Sequence, residues 1–402
     1  MDKVDLSVEF AGVRFKNPIL AAAGTPTHTL VNLKNCIAAG VGGIEMKSMS
    51  LDVEMQGRPR PANWFLDKYG EPRVLMTIEM AYLTPEEAIK NIKEIKPLAI
   101  KTDTRIIANI MTGKWSINNP KDVLDLAKRA EEAGADMLAA TTGCPFEIPP
   151  EKRESNIIEQ IRFLIQTLKG QINIPFYIKS TGYSHDVFFL QQLKAIEDEG
   201  EGKVPIHGGQ SIPATSIDIE SGKPLLSYAN IYGRHRAPIE NYASWFTYTQ
   251  SKLQYMSSGG LWTAKDVIER LMCGATLTGV CASAMYKGYA VYKEMIDGLE
   301  SFFERKNYKS VKDITGVATP YIHDLGAYIE FLVKRVAPKD VVKITVDPEK
   351  CNGCGECTMC LDSAVRIENG IAMIDLELCQ RCGLCASICP TDAITIVNPN
   401  VG

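Results

Sequence analysis

A chain of 402 residues has room for one large domain and a smaller second one. With 45% hydrophobic residues, 23% charged residues and a net charge of −4, it has a globular composition and no broad basic field for nucleic acid or an anionic membrane surface. The opening MDKVDLSVEF lacks the apolar core of a secretory signal, and no apolar run reaches the ~20 residues that span a bilayer, so a cytoplasmic protein without nucleic-acid or membrane partners is expected.

In chain order, VEFAGVRF reads as a small hairpin. After it, short apolar runs alternate with helix-like stretches up to about residue 340. The runs are PILAAAG (18–24), GGIEMKS (42–48), RIIANI (105–110), ADMLAATT (135–142), PFYIKS (175–180), KVPIHGG (203–209), QYMSSGG (254–260) and TLTGVCA (276–282). Between them, TLVNLKNCIAAG ends on Gly40, PKDVLDLAKRAEEAG starts with Pro120 and ends on Gly134, and TAKDVIERLMCG repeats the design. Pro at the first helical position and Gly just past the last are helix boundaries. Eight strands, most followed by a helix, predict a (β/α)8 TIM barrel over residues 1–340, with a doubly wound sheet as the alternative from periodicity alone. Segments 49–104 and 208–253 are long for simple connections and read as insertions on the active face.

Residues 341–402 are expected to form a small C-terminal α+β domain resembling bacterial ferredoxins. Twelve cysteines in a reducing compartment do not suggest disulfides, and eight of them fall in this tail. The first run is Cys351, Cys354, Cys357 and Cys360, each separated by two residues. The second is Cys379, Cys382, Cys385 and Cys389, followed by Pro390. The second run matches the C-x2-C-x2-C-x3-C-P pattern of two-cluster ferredoxins, in which the last cysteine of a run serves the other cluster. On that pattern Cys351, Cys354, Cys357 and Cys389 hold one [4Fe–4S] cluster, and Cys379, Cys382, Cys385 and Cys360 hold the second. Structural zinc sites favour two CxxC pairs across a longer loop, a poorer match. The first run departs from the pattern, with two residues before Cys360 and Leu361 in place of proline.

In such barrels the chemistry sits where strands end. The strand-end residues here are Thr25, Lys47, Asn109, Cys144, Lys179, Gln210, Ser211, Ser258 and Gly260. A lysine turned inward from a barrel strand needs an anionic partner, and a flavin, whose N1/C2 edge becomes negative on reduction, supplies one. SSGG ahead of the helix TAKDVIERL offers backbone N–H groups and a helix dipole to a phosphate. Cys36, Cys273 and Cys281 read as packing residues. Arg58, Arg60, Arg234 and Arg236 read mostly as solvated surface charges.

The order of FKNPILAAAG, EMKS, GRPRP, IIANIM, GCP, IKS, SSGG and LMCGATLTGV, with the cysteine tail behind them, resembles the dihydroorotate dehydrogenase superfamily. More narrowly, it resembles the flavin-plus-ferredoxin arrangement of dihydropyrimidine dehydrogenases. The resemblance implies FMN on the barrel's C-terminal face. Ala23, Gly24, Lys47, Asn109 and Lys179 would lie at the flavin, and Ser258, Gly259 and Gly260 at its phosphate. Cys144 would be the acid/base, opposite a flavin that exchanges hydride with a carbon beside a carbonyl. It further implies a dimer or hetero-oligomer and a redox partner, either a ferredoxin or an NAD(P)H/FAD subunit. No GxGxxG fingerprint follows a strand in this chain.

The segment that grips the pyrimidine in that superfamily reads Asn-Leu-Ser-Cys-Pro-Asn or -His. Here it is Thr141-Thr142-Gly143-Cys144-Pro145-Phe146, and the later Asn-Ser or Asn-Thr pair is Gln210-Ser211. Removing ring-binding amides changes which ring is accepted. Thr141, Phe146, Gln210 and Ser211 therefore imply a small-molecule substrate other than dihydroorotate or uracil, with Trp64 or Trp115 as further aromatic neighbours. Three alternatives stand beside this reading: an electron-transfer subunit with a degenerate barrel, a true dihydropyrimidine dehydrogenase catalytic subunit, and an isomerase or lyase with no net redox change.

Overall fold

The structure, a computed structural model, describes residues 4–56, 64–67, 73–76, 82–111, 119–142, 153–180, 187–208, 212–226, 229–324, 326–328 and 342–397. The chain divides into two compact units, Met1–Tyr321 and Ile322–Gly402. The boundary expected at 340/341 falls within residues 329–341, outside the described residues.

The first unit is a closed barrel of eight parallel strands. They are β1 (Ile19–Ala21), β2 (Gly43–Glu45), β3 (Arg105–Met111), β4 (Met137–Thr141), β5 (Phe176–Lys179), β6 (Ile206–Gly208), β7 (Tyr255–Ser258) and β8 (Leu277–Val280). They pair in sequence order, and β8 closes against β1 with Gly279 opposite Leu20. A helix follows each strand: α1 (Leu30–Ala38), α2 (Pro85–Lys101), α3 (Pro120–Ala133), α4 (Arg153–Leu168), α5 (Val187–Gly200), α6 (Ala237–Gln250), α7 (Ala264–Met272) and α8 (Ala290–Lys306). The eight apolar runs of the sequence are these strands. A parallel strand packed on both faces needs apolar residues at successive positions rather than at alternate ones.

Local chemistry sets the boundaries. Asn119 caps α3 by accepting from the Lys121 N–H at 3.0 Å, and Gly134 ends the helix at φ 100°. On α3, Val123, Leu126, Ala127 and Ala130 are buried, while Leu124 is only partly so. The hairpin Val8–Phe10/Val13–Phe15 is present, and it turns at Ala11 and Gly12, both at positive φ. It buries Phe10 and Phe15 completely, with Phe10 5.7 Å from the Tyr177 ring of β5.

The two long connections are less irregular than expected, because the second part of each is a barrel helix, α2 in one and α6 in the other. Their remaining parts meet. Strand Arg73–Met76 from the first pairs antiparallel with Ala229–Gly233 from the second, in a four-stranded sheet completed by Trp64–Asp67 and Ile212–Ala214.

The second unit contains two antiparallel pairs, Lys343–Val346 with Ile394–Val397 and Val365–Glu368 with Ile371–Ile374. Short helical turns lie at Glu356–Thr358 and Leu384–Ser387. Its small core is built from Cys357, Val365, Ala372, Cys385 and Ile394, with Cys351, Cys360 and Cys389 packed against it.

Candidate active site

The ends of β1, β2, β5, β6, β7 and β8 open on one cavity of about 220 Å³. Ala23 and Gly24 line it after β1, Lys47 after β2 and Lys179 at the end of β5. Ser258, Gly259 and Gly260 line it at β7, and Cys281 and Ala282 after β8. Tyr232, Gly233 and Arg236 enter from the insertion after β6.

Behind the lysine of β5 lies a carboxylate that the sequence reading did not single out. Glu45, on β2, is fully buried. Its Oε1 accepts from Lys179 Nζ and, at 2.8 Å, from Asn109 Nδ2. Its Oε2 accepts from the Tyr177 hydroxyl at 2.9 Å and lies 2.9 Å from His207 Nδ1. Burial opposes the charge on Glu45, but Lys179 and then His207 outweigh it and hold the carboxyl well below the usual range. Burial, reinforced by Glu45, pushes the Tyr177 phenol well up, so it stays a donor. The anionic partner of Lys179 within the protein is therefore Glu45, where the sequence suggested only a flavin edge. Lys47 sits 5.2 Å over the Tyr82 ring.

Burial pulls the His207 imidazole below its ordinary range, against the opposing pull of Glu45. The neutral ring must carry its proton on Nδ1, facing the carboxylate, which leaves Nε2 as an acceptor. Ser258 Oγ lies 2.6 Å from Nε2 and so donates to it. The Ser258 hydroxyl hydrogen is committed to this chain of bonds, and its lone pairs are what it presents to the cavity.

The β7 turn is held by a fully buried arginine on α7. Arg270 donates to Ser257 Oγ at 2.8 Å, to the Gly259 carbonyl at 2.9 Å and to Asn241 Oδ1 at 2.8 Å. Asp266 closes the N-terminus of α7, its Oδ2 accepting from the Trp262 and Thr263 N–H groups at 3.0 and 2.7 Å, and Arg234 pairs with its Oδ1 at 3.2 Å. Gly259 and Gly260 have φ of 91° and 75°, and a Cβ on Gly260 would stand 2.3 Å from the Ala237 nitrogen. Bare backbone is the only wall that fits there.

Several site expectations change in detail. Asn109 is buried and both ends of its amide are used, since Oδ1 accepts from Thr141 Oγ1 at 2.7 Å. Asn109 and Thr141 thus brace Glu45. Arg236, read from sequence as a surface charge, is 1% exposed and paired with Glu240. Cys281, read as packing, lines the cavity, whereas Cys36 and Cys273 are buried. Burial pushes the Cys36 thiol up to about 12. Cys144, Phe146, Gln210, Ser211, Trp115, Arg58 and Arg60 lie outside the described residues, as does the Trp64 side chain. Glu45 and His207 carried a readable signal, a titratable side chain inside an otherwise apolar barrel strand.

In the second unit a small cavity is walled by Cys351, Cys354, Cys357 and Cys389 together with Pro390. Burial, and then the thiols of Cys354, Cys351 and Cys389, push Cys357 up. Backbone N–H groups point at the sulfurs, from Ala372 to Cys351 at 3.4 Å and from Ala393 to Cys389 at 3.2 Å. In the second run, burial and the neighbouring Cys379 and Cys382 push Cys385 up, and the Arg381 N–H donates to Cys379 Sγ at 3.3 Å. Among the described residues no group of three or more His, Cys, Asp or Glu side chains converges on a single ion. Thiols spaced around a void, with N–H donors behind them, suit a multi-iron core better than one zinc ion.

Residues 5–303 match the family described as dihydroorotate dehydrogenase. The chain belongs to the dihydroorotate dehydrogenase family. Residues 372–395 match the 4Fe-4S binding domain. Among curated relatives, the chain is 25% identical to a dihydroorotate dehydrogenase B (NAD(+)) catalytic subunit of Methanocaldococcus jannaschii over 321 residues, 79% of this chain and 99% of the relative. It is equally 25% identical to the Pyrococcus furiosus counterpart, over 78% of this chain and 99% of the relative. With the NAD-dependent dihydropyrimidine dehydrogenase subunit PreA of Escherichia coli (strain K12) it shares 24% identity over 98% of its own length and 95% of the relative's. This dihydroorotate dehydrogenase family member is an iron–sulfur flavin oxidoreductase acting on CH–CH groups, with FMN and [4Fe–4S] chemistry and a redox partner. Among the described residues, no helix is long and apolar enough to cross a membrane.

The barrel cavity fits FMN on its own chemistry. It is lined by Lys47, and by Lys179 and Arg236, whose charges are shared with Glu45 and Glu240. It also offers a glycine turn at positive φ for a phosphate, and Gly24, where a Cβ would meet Cys281 Sγ at 2.6 Å, for the close approach of a flat ring.

Proposed function

We propose that the chain exchanges hydride between a small organic substrate, at a C–C bond beside a carbonyl, and FMN, and passes electrons through two [4Fe–4S] clusters to a ferredoxin or an NAD(P)H-linked subunit. The observation that carries this reading is a strand-end cavity with Lys47, Lys179 and the Ser258–Gly260 turn, in one chain with a four-cysteine cavity. FMN, when bound, accepts one hydride and releases its two electrons singly.

The residues would divide the work as follows. Gly259 and Gly260 present backbone to the phosphate. Ala23, Gly24 and Lys47 line the ring, and Lys179, fixed by Glu45, faces its N1/C2 edge. Ser258, with its hydrogen committed to His207, offers lone pairs, so it suits an N–H of a bound group better than a phosphate oxygen. Cys144 moves the substrate proton as the acid/base. Cys351, Cys354, Cys357 and Cys389 hold one cluster; Cys379, Cys382, Cys385 and Cys360 hold the other. Thr141, Phe146, Gln210 and Ser211 replace the amide-rich ring grip, which favours a substrate other than dihydroorotate or uracil. The second reading, a dihydropyrimidine dehydrogenase catalytic subunit, is favoured by the similarity to PreA along nearly the whole chain.

The test is anaerobic purification followed by an absorption spectrum, FMN analysis and iron analysis. Protein without flavin would sink the proposal. With flavin present, candidate reduced substrates should bleach it anaerobically, and dihydrouracil as the best of them selects the second reading. Cys144→Ala should keep FMN and slow bleaching by about a hundredfold or more, the scale of acid–base catalysis. Unchanged bleaching would remove Cys144 from the mechanism.

A further inference from the structure

The second unit leaves apolar side chains in water where its cysteine pattern departs from the usual one. Leu361 stands where Pro390 follows the last cysteine of the other run. It is 89% exposed, the highest value for any large hydrophobic side chain among the described residues. Met359, Leu376 and Leu378 are also exposed. The fold brings them together. Val365 pairs with Ile374, and just beyond that pair the Asp375 N–H donates to the Ala364 carbonyl at 2.7 Å. The turn that carries Cys360 and Leu361 therefore lies beside the turn that carries Leu376, Leu378 and Cys379. Charge there has one sign: segments 356–365 and 374–380 hold Glu356, Asp362, Asp375 and Glu377 and no lysine or arginine. Glu356, Asp362 and Glu377 are exposed. The cations next along the chain are committed, Arg366 to Glu368 at 2.6 Å and Arg381 to the Val342 and Cys379 carbonyls.

We propose that this edge is the docking surface for the redox partner, and that the partner is a protein whose own redox group lies in an apolar patch ringed by lysine or arginine. A single exposed leucine needs no explanation, but a group of apolar side chains inside a polar rim marks an interaction site. The acidic rim steers a basic partner and repels an acidic one, and a small apolar centre lets the partner leave after the transfer. The proposal rests on the reading above, in which Cys360 and Cys379 hold the same cluster. Each of the two turns carries one of those ligands. Electron transfer weakens steeply with distance, and a partner seated on Leu361 and Leu378 touches the residues next to both.

The test uses cytochrome c as the probe, a basic protein with lysines around its haem edge, and the small anion ferricyanide as the control. The full chain, purified without oxygen, is reduced with dithionite, freed of excess reductant and mixed with each acceptor in a stopped-flow instrument at low and high salt. Wild type should reduce cytochrome c faster at low salt than at high salt. Asp362→Lys combined with Glu377→Lys should slow that reduction at least about tenfold at low salt and abolish or reverse its salt dependence, without slowing ferricyanide. Leu361→Ser combined with Leu378→Ser should slow cytochrome c at both salt concentrations. Iron analysis checks that each variant keeps its clusters; if the serine pair, next to two ligands, loses iron, the charge pair decides alone. Cytochrome c rates equal to wild type in a charge pair that holds its iron overturn the surface and leave the flavin reading standing. A wild type without iron overturns that reading and the surface with it. Sedimentation of the same variants gives the remaining outcome: if they break up a wild-type oligomer, the edge is a contact between copies of this chain and the proposal is overturned.

Discussion

Glu45 organises the barrel's polar interior, and its removal should be read in both stability and pH dependence. It binds four side chains from three other strands: Asn109, Tyr177, Lys179 and His207. Glu45→Gln keeps the shape and removes the charge, leaving Lys179 and the phenol hydrogen of Tyr177 without an anion. Breaking a buried pair from one side costs about 3 kcal/mol, measurable by denaturant unfolding at neutral pH. The pH dependence has a definite sign. The Glu45 carboxyl is depressed from its ordinary 4.5, so the stability it contributes is full above 4.5 and is lost as pH falls below it. The His207 imidazole is depressed from 6.5, so its contribution is full above 6.5 and declines as pH drops from there. Both groups make the wild type acid-sensitive in the same direction. Between pH 6.5 and 4.5, where His207 governs, unfolding free energy should fall at least as steeply for Glu45→Gln, which loses the carboxylate that raises the imidazole. Below pH 4.5 the wild type should fall more steeply, and parallel curves throughout would show that the network does not control acid stability. At this scale the sequence was partly legible. Lys47 and Lys179 stood out because they end apolar runs, and Glu45 and His207 were overlooked although they interrupt them.

The barrel strands were readable and the insertion sheet was not, for one physical reason. A parallel barrel strand is buried on both faces and announces itself as an unbroken apolar run, as in ADMLAATT and RIIANI. The insertion strands Arg73–Met76 and Ala229–Gly233 are short, mixed in polarity and paired only across the fold, so no local pattern marks them. The turn between β7 and α7 was legible as SSGG before a capped helix, but its clamp, Arg270, was hidden inside an amphipathic helix pattern. Two substitutions test that turn. Gly260→Ala must place a Cβ 2.3 Å from the Ala237 nitrogen at a φ of 75°. It should cost about 2–3 kcal/mol and weaken FMN retention. Arg270→Lys keeps the charge but cannot reach Ser257, Gly259 and Asn241 together, so FMN should dissociate at least about tenfold faster in a fluorescence-release assay with little change in secondary structure. A release rate equal to wild type would mean that the turn is held by its own backbone.

Across the whole molecule, the question that the cysteine spacing raises is which run completes which cluster. The cavity in the second unit joins Cys389, from the second run, to Cys351, Cys354 and Cys357 of the first, the crossing that the ferredoxin pattern predicts. The crossing follows from the chain path. The strand pair Lys343–Val346/Ile394–Val397 brings the end of the second run back beside the start of the first, and the Ala393 N–H then donates to Cys389 Sγ. Double variants separate crossed from uncrossed ligation. With two clusters the protein carries about eight irons per chain. Cys354→Ser and Cys389→Ser should each lower this to about four, and because they strike one cluster, the double variant should still hold about four. Cys382→Ser combined with Cys389→Ser strikes both clusters and should leave almost none. If the pairings were uncrossed, the outcomes would exchange: the Cys354/Cys389 double variant would lose nearly all its iron and the Cys382/Cys389 double variant would keep half. Iron analysis of anaerobically purified protein, with electron paramagnetic resonance after reduction, reads the difference directly. A wild type with only about four irons would show instead that Cys360, followed by Leu361 rather than proline, does not complete a second cluster.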